Sequence, residues 1–439
     1  MTAPVPADVR MRGFAARTEV TTAVAWIDAH ARALPAERVP LERAAARVLA
    51  APVMAPMDVP AFDRCAMDGF AVQAAQTEGA GDYNPVGFDV LGDAWPGQPF
   101  GGRIGPGQAV RVMTGAPLPE GADTVVPAEY ARIDAARVEL VQAGAPGRHV
   151  GRTGEDIRRG ACVLPAGRRL RPQDLGVVAS LGLAAVEVIA APRVRILVTG
   201  NEIDAPGTPA SPHRIFDANT PMLAALVERD GGTIESMLRL RDDAEALRAA
   251  LVAPGADVVL VSGGSSVGAE DHAPRLLAQA GELAVHGVAM RPSSPAGFGR
   301  IGRTLVFLLP GNPVSCLCAY DFFAGRAIRL LGGRSADWPY PTLEASVARK
   351  IVSAVGRVDY CRVRLTEAGV EPLAVSGASI LSSTTRADGF VVVPAASEGM
   401  APGTRVTVYC YDPQGTRVAD RPGLGGDGER GAQARGETR

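Results

Sequence analysis

No CxxC pair and no Cys/His cluster at zinc spacing occurs in this 439-residue chain, although it has six cysteines, at Cys65, Cys162, Cys316, Cys318, Cys361 and Cys410. Their scatter excludes a zinc motif and a disulfide framework, and it predicts reduced thiols in a cytoplasmic protein. Long hydrophobic runs are missing as well. The opening "MTAPVPADVRMRGFAARTEV" lacks the apolar core of a signal peptide, and no window approaches the about 18 uninterrupted apolar residues of a membrane span. The longest apolar-looking run, residues 177–191, contains Glu187. A soluble chain without a membrane partner is expected. Nor is there a strong charge of either sign: the net charge is -2, which argues against a surface built to coat nucleic acid. Any anion site must therefore be local.

Aromatics are scarce at 5%, whereas glycine (51) and proline (35) are abundant, so many turns and close backbone approaches are expected. A length of 439 residues exceeds one ordinary core and predicts a modular chain. Apolar residues recur at helical spacing in Val20, Val24, Ile27 and Ala31, and again in Leu41, Ala45 and Val48, which predicts two helices over 19–34 and 41–50. Short β-rich runs separated by Gly and Pro follow, then a return to loop and helix in "GRTGEDIRRGACVLPAGRRLRPQDLGVVASLG". A β module interrupting two helical stretches predicts a helical domain that is discontinuous in sequence.

The next region alternates apolar runs ending in glycine, "RVRILVTG", "ADVVLVSGG" and "RTLVFLLPG", with helical patterns. That is the signature of βαβ units in a mainly parallel sheet, which binds ligands at the carboxyl ends of its strands. Alternating segments from about Trp338 to Asp412 predict a second small β domain, and the Gly/Arg-rich end predicts disorder.

"GGSSVG" within "VSGGSSVGAEDH" formally matches the G-x-S-x-G elbow of α/β-hydrolases. A downstream acid and then a histidine are required there, yet the last histidine, His286, lies only one strand later. The same residues suit a phosphate cradle better, because successive Gly and Ser expose N–H groups and hydroxyls ahead of a helix starting near Glu270. Glu270 and Asp271 would bind a divalent cation or a ligand donor, or simply cap that helix. In "LLPGNPVS", Asn312 suits an N-cap, Pro313 the first helical position and Ser315 the first turn. Asn201 and Glu202 end a further strand, and Asp217 and Asn219 precede a helix. Several such loops on one sheet edge point to a phosphorylated or oxyanion ligand, with a metal and no covalent nucleophile.

Taken together, "AMDGFAV", "MTGAPLPEGADTVVPAE", "GEDIRRG", "PQDLGVVASLG", "RVRILVTGNEI", "IFDANTPMLAALV", "SGGSSVGAEDH", "MRPSSP" and "LLPGNPVS" resemble the molybdopterin molybdenumtransferase family, related to the C-terminal domain of gephyrin. The resemblance spans residues 18–412. It implies a multidomain α/β protein: an elongated helical domain (18–51 and 149–190), an inserted β domain (52–148), a molybdopterin-binding α/β domain (191–335), a C-terminal β barrel (336–418) and a tail (419–439). It also implies a homodimer whose active site is shared between subunits. The implied reaction inserts molybdate into adenylylated molybdopterin and releases AMP, assisted by Mg2+, with molybdopterin adenylyltransferase and molybdoenzyme maturation proteins as partners.

Residue by residue, the resemblance places Gly263, Gly264, Ser266 and Asp271 at the pterin-phosphate site. It gives Asp156, Glu202 and Asp242 ligand-positioning roles, the last two binding metal with Asp271. Asp68 and Thr114 would enter from the partner subunit, and Arg291, Ser294, Pro310, Pro313 and Ser315 would lie near molybdate. Three positions depart from the family pattern. Asn201 replaces Asp, Ser265 replaces Val, and Ser293-Ser294 replace Gly-Lys, removing one positive charge from the oxyanion site. The loss leaves two alternatives to the enzyme: a carrier or paralogue with altered oxyanion preference, and a protein-binding scaffold.

Overall fold

The computed structural model describes residues 17–134, 136–264, 272–374 and 379–412. The calls on Ser265, Ser266, Glu270, Asp271 and the tail lie outside the described residues. Two compact units emerge, one of residues up to Pro35 with those from Ala190 onward, the other Ala36–Ile189.

In the first unit, helix α1 (Val20–His30) precedes strand β1 (Arg193–Thr199), α2 (Asn219–Asp230), β2 (Thr233–Leu240), α3 (Ala244–Val252), β3 (Val258–Ser262) and α4 (Ala273–Ala280). Then come β4 (Glu282–His286), β5 (Gly297–Ile301), β6 (Thr304–Leu309), α5 (Pro313–Ala319) and α6 (Gly325–Leu331). The six strands form one sheet in the order β2-β1-β3-β6-β5-β4. The first four run parallel, β5 runs antiparallel to β6, and β4 runs antiparallel to β5.

Near-continuous apolar strands are what a sheet covered on both faces requires. Val194, Ile196 and Val198 of β1 pack with Val258, Leu260, Phe307 and the helices α1, α2, α5 and α6. The alternating residues Leu197, Val259, Val261, Val306 and Leu308 face α3 and α4. Arg195 is buried, pairing with Glu235 at 2.9 Å and donating to the carbonyls of Ala250, Ala253 and Pro254, where a cation meets the negative end of α3.

A second sheet completes this unit. Met290–Arg291 runs parallel to the start of Val358–Thr366, which continues through Gly389–Val393 and Arg405–Cys410 to Thr342–Ser346. The strand Val358–Thr366 also pairs with Gly369–Ala374.

Ala36–Ile189 holds a further six-stranded sheet, in the order Thr124–Pro127, Gly69–Val72, Gln108–Val112, Val86–Ala94, Arg137–Leu140 and Ala131–Asp134. The rest of this unit is less helical than the sequence predicts. The expected helix over 41–50 is a 3-10 turn, Leu41–Arg43, after which Val48 and Leu49 form isolated bridges to Arg169 and Val188. Ala46 at φ 61° breaks the helical path there. Ala36–Pro40 pairs with Ala185–Ile189, leaving Pro172–Ser180 as the α-helix of this unit. Helix α1, drawn from sequence into the same helical domain, instead buries Ala23 and Ile27 in the core of the α/β sheet. Apolar spacing finds a helix but not the surface that it covers.

Candidate functional site

In the α/β sheet, β1 lies between β2 and β3, so the chain leaves β1 and β3 for opposite faces and opens a crevice beyond their carboxyl ends. Three glycine-rich loops meet at that edge. Gly263 follows β3 with φ 93°, and a Cβ there would run into the carbonyl oxygen of Thr199 at the end of β1. Only glycine allows that approach. The Cα of Gly263 lies 3.6 Å from the point where Gly311, after β6, would carry a Cβ.

Asn219 ties the edge together. Its Nδ2 donates to Ser262 Oγ and to the Gly311 carbonyl, both at 2.8 Å. The carbonyl can only accept, which fixes the orientation of the amide and leaves Oδ1 as an acceptor. Asn219 Oδ1 and Thr199 Oγ1 are buried and make no hydrogen bond among the described residues. Orphaned polar atoms of this kind are costly in a finished core and fit a site completed by a ligand or water. Below them, Asp217 accepts from the Thr220 N–H at 2.9 Å and its hydroxyl at 2.6 Å, and pairs with Arg239 at 3.1 Å.

The acidic positions lie on the adjoining loops. Asp242 Oδ2 accepts the Asn201 N–H at 3.0 Å, which brings the loops after β1 and β2 together with Glu202 beside the contact. The Asn201 side chain, in place of an acid, accepts the Asp242 N–H through Oδ1 at 3.4 Å, a bond that brings no second negative charge to the contact. Arg214 reaches back over this loop to Asp204 at 2.6 Å and to the Asn201 carbonyl at 2.5 Å, and its bonds hold the Asp204 carboxyl below the usual range.

Pro310 ends β6 and Pro313 opens α5, with Asn312 at the N-cap position, as expected, although its side chain makes no cap bond. Ser315 is buried, and its carbonyl accepts from Ser293 Oγ at 2.5 Å. Ser294 Oγ is buried without a partner among the described residues. Arg291 differs from expectation: its guanidinium grips Asp359 of the second sheet, with Nε to Oδ1 at 3.1 Å and a shorter contact from Nη2 to Oδ2. The charge expected from the resemblance to lie near molybdate is therefore paired with a carboxylate. A carboxylate 68 residues away was invisible to local patterning.

In the unit Ala36–Ile189, Asp68 and Thr114 are brought together because Gly69 pairs with Val112. A Cβ on Gly69 would strike the Val126 carbonyl, so the sheet closes tightly just beside Asp68. Asp68 Oδ1 accepts from Thr114 Oγ1 at 2.7 Å and its N–H at 2.6 Å, and these bonds hold its carboxyl below the ordinary value. Asp156 is exposed on the loop whose backbone bonds Val59. Sequence reasoning passed over Asp63, which accepts from the N–H and hydroxyl of Thr153 at 2.8 Å and from Arg152 at 2.7 Å. Its signal was the same as that of Asp68, an acid in a Gly/Pro-rich loop.

A thiol nucleophile is disfavoured. Burial pushes Cys65, Cys316 and Cys361 up to about 12, and the six cysteines are all free.

These features define a multidomain protein whose α/β domain carries a glycine-lined crevice at the carboxyl edge of its sheet. Residues 18–182 match the MoeA N-terminal region (domain I and II), 195–329 a probable molybdopterin binding domain, and 344–411 the MoeA C-terminal region (domain IV). The chain is 36% identical over 382 residues to molybdopterin molybdenumtransferase 2 of Mycobacterium tuberculosis, covering 84% of this chain and 94% of that one. It is 30% identical to the molybdopterin molybdenumtransferase of Haemophilus influenzae, covering 86% and 94%. The solved structure of a molybdopterin biosynthesis MoeA protein from Pyrococcus horikoshii superposes with a TM-score of 0.76 at 30% identity, covering 90% of this chain and all of that one. This chain belongs to the molybdopterin molybdenumtransferase (MoeA) family.

Proposed function

We propose that this chain acts in molybdenum cofactor biosynthesis as a molybdopterin molybdenumtransferase, inserting molybdate into adenylylated molybdopterin with release of AMP. The observation that carries the reading is the glycine-lined crevice between β1 and β3 in a chain that spans 94% of a relative bearing that name. In this reading water hydrolyses the phosphoanhydride and AMP leaves, while the two dithiolene sulfurs replace one molybdate oxygen, which departs as water with the two thiol protons. The backbone at Gly263 and Gly264 admits the phosphates closely, and Ser294 and Ser315 supply hydroxyls beside the oxyanion. Pro310 and Pro313 shape the loop entering α5.

Among the described residues no trio of acidic, His or Cys side chains forms a metal site. Glu202 and Asp242 on neighbouring loops are nevertheless a fitting oxygen pair for Mg2+, which commonly takes one or two carboxylates and completes its shell with substrate phosphates and water. When bound it would offset charge building on the leaving phosphate. Asp271 is the further acid of this set by resemblance.

Asp68, Thr114 and Asp156 would complete the site from the partner subunit of a homodimer in the cytoplasm. The finer division of the unit Ala36–Ile189 into residues 36–51 with 149–189 and residues 52–148 belongs to the same proposal, without helix α1. No helix among the described residues is long and apolar enough to cross a membrane. The carrier alternative is less favoured, since the relatives carrying most of the similarity bear an enzyme's name.

Reconstitution tests the reading. Purified protein, adenylylated molybdopterin, Mg2+ and molybdate should activate a cofactor-free molybdoenzyme, and omission of the protein should abolish activation at low molybdate. Equal activation without the protein would refute it.

A further inference from the structure

All but one of the 45 basic residues of this chain are arginine, Lys350 being the single lysine. An oxyanion site here cannot rely on a flexible ammonium, and a guanidinium must be aimed, because its donors lie in a fixed plane. Arg291 is the basic residue of the "MRPSSP" loop, and it is aimed from the second sheet. Its backbone stands opposite Asp359 in the parallel pairing, with the Val358 N–H donating to the Ala289 carbonyl at 2.9 Å.

The Asp359 carboxylate has no exposed surface, whereas the Arg291 side chain is 29% exposed. Asp359 takes the Nε–Nη2 edge of the fork and leaves Nη1 outside this grip. Ser353 Oγ donates to Oδ2 at 2.7 Å, and Arg357 Nε lies 3.5 Å from Oδ1. The carboxylate is thereby fixed from three directions, and Arg291 and Arg357 together outnumber it by one positive charge. From Ser293 the loop continues to the first turn of α5 through its bond to the Ser315 carbonyl.

We propose that Asp359 is a positioning residue for the oxyanion subsite: it holds Arg291 so that the free guanidinium edge meets molybdate, making the C-terminal β sheet a determinant of oxyanion affinity. The inference rests on the transferase reading above. Asp359 does not touch the oxyanion and acts through Arg291.

The test measures molybdate-dependent AMP release by the full-length protein with Asp359→Asn, Arg291→Lys and the double variant. Each single change should raise the KM for molybdate by about tenfold, with kcat and the KM for adenylylated molybdopterin within about twofold of the parent. Because both changes break one device, the double variant should be no more than about twofold worse than either single one. A purely structural Asp359 would instead lower kcat or shift both KM values, or its effect would multiply with that of Arg291→Lys. Either result overturns the proposal. Should Asp359→Asn fail to fold, Arg291→Lys alone decides: an unchanged molybdate KM overturns the proposal and a raised one supports it. If the parent protein releases no AMP, the transferase reading itself fails, and the inference with it.

Discussion

One oxygen joins Asp68 to Thr114 twice, accepting the hydroxyl at 2.7 Å and the backbone N–H at 2.6 Å. Both bonds favour the ionised carboxylate, so its folded pKa lies below the ordinary 3.8. A depressed acid pKa stabilises the fold above the unfolded value, and that contribution is lost as pH falls through the folded value. In a 13C NMR titration, the Asp68 carboxyl midpoint should fall below 3.8 and return towards it in Thr114→Val. An identical midpoint in the two proteins would show that the pair does not form in solution.

The close approach of β1 and β3 predicts a defect that size alone does not. Gly263→Ala adds a Cβ against the Thr199 carbonyl at φ 93°, and it should lower kcat/KM at least about tenfold while costing roughly 1–2 kcal/mol of stability. Gly302→Ala is the control: it also has positive φ, 59°, but opens into free space in the β5–β6 turn. Its stability cost should be smaller, about 1 kcal/mol from the positive φ alone, and its activity unchanged. Equal activity in both variants would separate Gly263 from the site.

How much of this could be read from sequence depended on the range of the interaction. The strands β1, β3 and β6 were legible because each is a short apolar run stopped by glycine or proline, and so was the convergence of their ends. The segment 41–50 was misread because Leu41, Ala45 and Val48 have helical spacing, while the bridges of Val48 and Leu49 to Arg169 and Val188 are made with distant strands. The pairing of Arg291 with Asp359 was hidden for the same reason. Sequence marked the missing lysine at Ser294 but not which carboxylate holds the remaining arginine.

Ser294 separates binding from stability. Its buried Oγ has no partner among the described residues, so Ser294→Ala should change the unfolding free energy by less than about 0.5 kcal/mol. The same change should raise the KM for molybdate several-fold if the hydroxyl donates to the oxyanion. Ser294→Lys should lower that KM by restoring a charge. Unchanged kinetics in both variants would leave Arg291 and the start of α5 as the whole of the oxyanion site.

Away from the site, Asp174 accepts the Arg171 N–H at 2.9 Å at the start of the helix Pro172–Ser180 and pairs with Arg168 at 2.8 Å. Those arginine bonds, Arg168 first, hold its carboxyl well below the usual range. Asp174→Ala should cost about 1–2 kcal/mol at pH 7 by urea unfolding. The sign follows from the depressed pKa: the difference is full above the unfolded value near 3.9 and shrinks as pH falls below about 4. A difference that grows in acid would contradict the pairing.

The central claim is that cleavage of the adenylate is coupled to molybdate. AMP release from adenylylated molybdopterin, followed with Mg2+ present while molybdate is titrated from zero, tests it most directly. The account predicts negligible release without molybdate and a saturable rise to one AMP per cofactor formed. Release at the same rate without molybdate, or none at saturating molybdate with the ligand bound, would contradict it.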